Sequence, residues 1–176
     1  MTKEVDSNIV AAAFDNVFKF NNISKQFEGD VLSGINLQLD LIFEEFCTET
    51  IQAFEQGCNA LDSKDYEEAN KQAEKLLDGA VDTFVVVSGL LQKLHAAGMD
   101  VDAALLRVTE NNLSKFPKKV EYAWCEKQGY TPVFNEQYAC FVLKDKNGKT
   151  RKNHDYKSVD LSDLVPKDFF KEAQHG

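Results

Sequence analysis

Glu45 and Glu49, and again Asp78 and Asp82, are carboxylates spaced four residues apart within segments that otherwise read as helix. Residues i and i+4 share a helix face, with Cβ atoms about 5–6 Å apart. Two such pairs on facing helices bring four carboxylates into one cleft. Without a cation that arrangement is costly: like charges 4 Å apart repel by about 4 kcal/mol at an effective dielectric near 20. Hard oxygen ligands suit Mg2+ or Mn2+, so the spacing points to a metal-dependent site built in a helical bundle. A run such as Glu44-Glu45 is most often only a solvated helix face. The Asp pair is set differently, inside Leu76-Leu77-Asp78-Gly79-Ala80-Val81-Asp82-Thr83-Phe84-Val85-Val86-Val87. A helix that apolar is expected to be largely buried, and acids are rarely buried unless paired or metal-bound.

The elements that must hold these acids follow from periodicity and punctuation. Val10, Phe14, Val17 and Phe18 give a first amphipathic helix through about Phe20, and 21–34 reads as a loop. Leu37, Leu41, Ile42, Phe46, Ile51 and Phe54 predict a second helix from about Ile35 to Phe54, stopping near Gly57. After the break at Asp62-Ser63-Lys64-Asp65, a long helix is expected from Tyr66 to Ala96, ended by Gly98. Its first half is polar and its second half is apolar on more than one face. Val101 to Leu113 predicts a shorter helix, and Pro117 opens another that runs to about Lys127 and ends at Gly129. Farther on, the β-rich Tyr138–Leu143 and the turn signal Asp145-Lys146-Asn147-Gly148 predict a hairpin over 137–152, with a short last helix near Val165–Ala173. The fold class expected is all-α: a four-helix-bundle-like core with a small C-terminal β-hairpin. One domain is expected, with an N-terminal helix and loop (1–34), a helical metal-binding core (35–130) and a hairpin and tail (131–176).

Length and composition bound the function. A chain of 176 residues, 43% hydrophobic and 28% charged, can bury a substantial core. A net charge of −9 argues against a nucleic-acid polymer or an anionic membrane as partner. A nucleotide whose phosphates are bridged to carboxylates by metal remains compatible with it. Cys47, Cys58, Cys125 and Cys140 show no C-x-x-C pair and no interleaved histidine pattern, against structural zinc. No N-terminal stretch resembles a signal peptide and no apolar run reaches about 20 residues, so the expectation is a cytoplasmic protein with reduced cysteines. There is no G-x-S-x-G, Walker A or G-x-G-x-x-G sequence. Trp124 beside Tyr122 reads as packing more readily than as a stacking platform for a base.

Four features in order carry a resemblance. They are Glu45-Phe-Cys-Thr-Glu49, then Asp78-Gly-Ala-Val-Asp82, then Asn111-Asn112-Leu-Ser-Lys115-Phe, then Gly148-Lys-Thr-Arg-Lys152-Asn-His-Asp-Tyr156. Over roughly 35–160 the chain resembles the all-α nucleoside triphosphate pyrophosphohydrolases, the MazG-like and phosphoribosyl-ATP pyrophosphohydrolase-like superfamily, small phage and bacterial members above all. The family pattern is E-x-x-E followed by E-x-x-D. Here both pairs are one residue wider, so Phe46 and Gly79 fall where the family places the first ligand of each pair. Glu44 in an alternative register, and Glu74 one turn before Asp78, are further acids in reach of the cluster.

The resemblance implies Mg2+- or Mn2+-dependent hydrolysis of a nucleoside triphosphate to the monophosphate and pyrophosphate. Glu45, Glu49, Asp78 and Asp82 would be the metal ligands and catalytic acids, with Glu45 placed to orient or deprotonate the attacking water. Asn112, Lys115, Lys152 and Tyr156 would bind substrate. It also implies a homodimer or homotetramer, in line with the apolar faces of Leu76–Leu94. The alternative reading is a catalytically degraded relative acting as a nucleotide-binding or protein-interaction module, favoured by the wider acidic spacing. A third is an acidic helical bundle without a ligand.

Overall fold

A computed structural model describes residues 6–24 and 29–172. The chain is mostly helical, with a small antiparallel sheet, and divides into two compact units. Unit 1 comprises Met1–Val101 with Val165–Gly176, and unit 2 comprises Asp102–Leu164.

Unit 1 is built on one long helix. Helix α1 (Ser7–Ile23) starts where the Asp6 carboxylate accepts the Asn8 N–H. Helix α2 (Val31–Phe43) starts where Asp30 accepts the Ser33 N–H at 2.6 Å, earlier than the expected Ile35. The expected loop over 21–34 is therefore shorter at both ends, since α1 also continues through Ile23; residues 25–28 lie outside the described residues. From α2 the chain passes into a π-helical segment, Glu44–Thr50, and then α3 (Ile51–Asp62). The second helix does not stop at Gly57. That residue lies inside α3, where an added Cβ would meet only the Gln72 side chain, at an ordinary 3.5 Å. The helix ends at Ser63–Lys64 instead, where Lys64 takes φ 60°. Helix α4 (Tyr66–Ala96) has the expected bounds and begins with Asp65 accepting the Glu68 N–H. Gly98, at φ 91°, follows it.

Helix α4 packs against α1, α2, the π segment and α3. The α2–π run and α4 are antiparallel, with close approaches at three glycines. Gly34 meets the Lys93 side chain, Gly89 meets Gln38, and Gly79 meets Thr50. Much of this contact is polar: Asn21, Gln38, Ser88, Gln92 and Lys93 are all buried, and the Asn21 amide donates to Gln92 Oε1 at 2.8 Å. The apolar part of α4 is less covered than its composition predicts. Val85 and Val86 are half-buried, Phe84 and Val87 are exposed, and Leu77 and Val81 expose 67% and 53% of their surface. The single chain has too few partner faces for a helix apolar on several sides. Phe43 and Phe54, on the run that packs against α4, are likewise exposed.

Unit 2 gathers α5 (Val101–Leu113, from Asp102 on), α6 (Tyr122–Gln128) and three strands, β1 (Thr131–Asn135), β2 (Cys140–Lys144) and β3 (Thr150–Arg151), ordered β1-β2-β3. Strand β1 escapes a reading from composition because Pro132 lies within it. As an edge strand it needs no donor on its open side. Pro117 opens no helix; its carbonyl accepts the Phe141 N–H at 2.8 Å, and α6 begins only at Tyr122. The turn at Asp145–Gly148 joins β2 to β3 as expected, with Asp145 Oδ1 accepting the N–H groups of Asn147 and Lys149 and Gly148 at φ 76°. The bidentate pair Arg107–Asp163, at 2.6 and 2.8 Å, fastens α5 to a single 3-10 turn at Ser162–Leu164. The expected last helix over Val165–Ala173 is reduced to α7 (Phe169–Glu172).

Leu143 and Cys125, each 1% exposed, form the centre of unit 2. Truncating a fully buried leucine removes its burial and leaves a cavity, a loss of about 2–5 kcal/mol. Leu143→Ala should therefore lower stability by about 3 kcal/mol in urea unfolding followed by far-UV circular dichroism. A loss below about 1 kcal/mol would show that the sheet is not packed as described.

Candidate functional site

The first acidic pair lies in the π segment, and that geometry bears directly on its spacing. A π segment inside a longer helix adds a residue to the turn and occurs frequently at functional sites. The Ile51 N–H reaches back five residues to the Phe46 carbonyl, and Thr50 Oγ1 donates to the Glu45 carbonyl at 2.8 Å. The widened turn brings Glu49 back to the side of Glu45 across four residues. On α4, Asp78 and Asp82 share a face by ordinary α-helical spacing.

Gly79 sets the separation of the two pairs. A Cβ there would lie 2.7 Å from Thr50 Oγ1 and 3.3–3.4 Å from Thr50 backbone atoms. A residue without a side chain is what admits the π segment this close to α4.

Glu45 is where the cluster converges. Its Oε2 is buried and has no hydrogen-bond partner. Burial raises its pKa above the ordinary carboxylate value, and the charges of Glu49, Asp82, Glu44 and Asp78 raise it further. The other three acids singled out by spacing thus act on Glu45, together with Glu44. Glu74 does not figure in this set. Glu49 and Asp78 also line an open cleft of about 350 Å³ with Gln52, Gln72 and Lys75. The donor chemistry, hard oxygens with one buried and unpartnered, fits a divalent cation such as Mg2+ or Mn2+. Among the described residues, no three acidic, histidine or cysteine side chains stand close enough together to hold an ion as they are placed. The set is convergent and open.

The residues assigned to substrate all lie in unit 2. Asn112, Lys115 and Lys152 line a cleft of about 630 Å³ with Phe116, Tyr130, Lys149 and Arg151. Lys115 Nζ donates to Asn112 Oδ1 at 2.6 Å. Lys152 Nζ sits 4.4 Å from the Tyr156 ring centroid and Lys115 Nζ 5.8 Å from it, so both cations are held beside one aromatic ring. The Asn111 amide donates to Tyr156 Oη at 2.7 Å and fixes the ring. Arg151 is committed elsewhere, with Nε and Nη2 both on Asp145 Oδ2. Trp124 packs on Tyr130 and His154, with ring centroids 5.8 and 5.5 Å apart.

Four contributors escaped the sequence reading. Thr50 and Gly79 carry no signal of their own, because their role exists only once two helices meet. Lys149 and Tyr130 come to the cleft through the unrecognised strand β1 and the turn between β2 and β3. The four cysteines are free thiols, and no helix among the described residues is long and apolar enough to cross a membrane.

Comparison of the chain with protein-family models, with curated proteins and with solved structures gives no match. The site must be argued from its own geometry.

The electrostatics make a testable statement. Because the pKa of Glu45 is raised in the folded state, its ionisation opposes folding, and the opposition grows as pH rises from its ordinary value of 4.5 through the raised one. Glu45→Gln should therefore raise the melting temperature of the metal-free protein at pH 7. The gain should disappear as pH falls below 4.5, where both forms are neutral. A variant less stable than wild type at pH 7 in chelator would show that Glu45 is not held among like charges.

Proposed function

We propose that this protein is a metal-dependent nucleoside triphosphate pyrophosphohydrolase with a MazG-like helical core, releasing a nucleoside monophosphate and pyrophosphate. The observation that carries the reading is the unpartnered, buried Glu45 oxygen on which four further carboxylates act. Natural cores do not keep such a group without compensation, and a divalent cation supplies it. The widened spacing of the first acidic pair, a departure from E-x-x-E, is taken up by the π segment and so does not count against the reading.

In this proposal Glu49, Asp78 and Asp82 hold the cation with Glu45. Bound metal lowers the pKa of a coordinated water and neutralises phosphate oxygens. Glu45, made more basic by burial and by the neighbouring carboxylates, accepts the proton of the attacking water in its ionised form. In unit 2, Lys115 and Lys152 offer charge to phosphate oxygens as point charges. Asn112 offers an amide to sugar or base, and the Tyr156 ring keeps the two lysines in place. A positive cleft in a chain of net charge −9 is suited to a polyphosphate rather than to a cationic ligand. The exposed apolar side chains along α4 and on α2 and α3, among them Leu77, Val81, Phe43 and Phe54, support a homodimer or homotetramer. Cytoplasmic nucleotide-pool cleansing is the role such chemistry would serve.

Three outcomes test this. Pyrophosphate should be released from at least one common triphosphate in Mg2+, with no early orthophosphate, and Asp82→Asn should abolish release while leaving the circular dichroism spectrum unchanged. Wild type that binds a nucleotide but releases no pyrophosphate would favour the degraded-module alternative. Mg2+ at 100 times its dissociation constant should add about 2.7 kcal/mol of stability, read as a rise in melting temperature that chelator reverses. Sedimentation equilibrium at micromolar concentration should give a dimer or tetramer; a species of 19.8 kDa alone would sink the proposed assembly.

A further inference from the structure

Thr50 is not an acid, yet it joins the segment that carries one acidic pair to the helix that carries the other. Its hydroxyl donates to the carbonyl of Glu45, five residues earlier, at 2.8 Å. Its Oγ1, N and Cα face the bare Cα of Gly79, close enough that a Cβ there would come within 2.7, 3.3 and 3.4 Å of them. Gly79 follows Asp78 directly, and its own carbonyl accepts the Thr83 hydroxyl at 2.8 Å. One side chain thus links the backbone that carries Glu45 to the helical turn that carries Asp78 and Asp82.

This link matters because a π segment is not self-supporting. Its i to i+5 bonds are poorer than the α-helical ladder on either side, and the segment persists only where outside contacts hold it. A threonine hydroxyl bonding back along the helix competes with the regular ladder and favours a distorted turn. Seating that threonine on a glycine leaves the distortion little room to relax. A relaxation to regular α-helix would rotate Glu45 and Glu49 relative to each other and away from Asp78 and Asp82.

We propose that Thr50, seated on Gly79, is a positioning residue: its hydroxyl holds the π turn in the register that aims Glu45 and Glu49 at Asp78 and Asp82 for cation binding. The proposal rests on the metal-site reading above and goes beyond it, because it assigns the site's competence to a residue that supplies no ligand. Groups that orient ligands through hydrogen bonds commonly change metal affinity about 10–100-fold when removed.

The test is Mn2+ binding to the full-length protein without nucleotide, read by electron paramagnetic resonance of the free ion. Melting temperatures in chelator serve as the control for folding. Thr50→Val keeps shape and loses the hydroxyl, and should weaken Mn2+ binding by about 10-fold. Thr50→Ser keeps the hydroxyl and should restore near wild-type affinity. Gly79→Ala, whose methyl would displace Thr50, should weaken binding at least as much as Thr50→Val. Valine and serine variants that bind Mn2+ alike would overturn the proposal, as would a Gly79→Ala protein of unchanged affinity. Binding is compared at a temperature where the chelated valine and serine variants are both folded, so that a folded Thr50→Val protein of wild-type affinity overturns the proposal. Wild type that binds no Mn2+ defeats the metal-site reading itself, an outcome distinct from wild-type binding that Thr50→Val leaves intact.

Discussion

The closeness of Thr50 to Gly79 constrains everything else in unit 1. Two helices approach most closely where one of them lacks a Cβ, and three glycines meet this helical pair at intervals: Gly34 under Lys93, Gly89 under Gln38 and Gly79 under Thr50. The third contact coincides with a change of helical pitch. The opposing run widens into the π segment there, while α4 continues as regular α-helix through Gly79. A site composed of negative charges resists assembly. Here the backbone approach is set by glycine and hydroxyl contacts, which are indifferent to charge, and the carboxylates are carried along.

The price of that arrangement is visible in the interior of unit 1. Few large apolar side chains are fully buried there, while an amide-rich layer of Asn21, Gln38 and Gln92 is. Gln92 Nε2 and Gln72 Oε1 join Glu45 Oε2 as buried atoms without a partner among the described residues. Such groups cost stability that the apolar contacts must offset. Much of the apolar surface needed for that lies outside the single chain's core, on Leu77, Val81, Phe43 and Phe54. In the proposed oligomer a second copy would cover what one chain leaves open. Unit 2 is arranged differently. Its centre is apolar at Leu143 and Cys125, its periphery is tied by Arg107–Asp163 and Arg151–Asp145, and Lys115, Lys149 and Lys152 line one cleft.

The residues of chemical interest were legible before any coordinates because their types are rare in apolar helices. Asp78 and Asp82 stand out against Leu76 to Val87 for that reason, and α4 itself was legible to its terminal residues, since a strong N-cap at Asp65 and glycine at 98 bracket it. Asn112, Lys115 and Lys152 were singled out only through the family resemblance, and the structure places them on one cleft. Local chemistry misled where a neighbour overrode it. Gly57 lies inside α3, in a helix that runs on to Asp62, and Pro117 starts no helix, its carbonyl accepting the Phe141 N–H. Pro132 sits in a strand because that strand lies at the sheet's edge.

By itself, the order of residues determined the helical character, the place of the long helix, the turn at Asp145–Gly148 and the identity of the acids. These depend on periodicity, capping and glycine, which act over a few residues. The π turn, the contact of Thr50 with Gly79, the burial of one Glu45 oxygen and the pairing of Lys115 and Lys152 at Tyr156 were decided only by the tertiary structure. Each of these joins residues about 30 or more positions apart in sequence, or depends on one that does. No window of local sequence contains both partners, so the geometry that sets the four acids against one another exists only after the helices have packed.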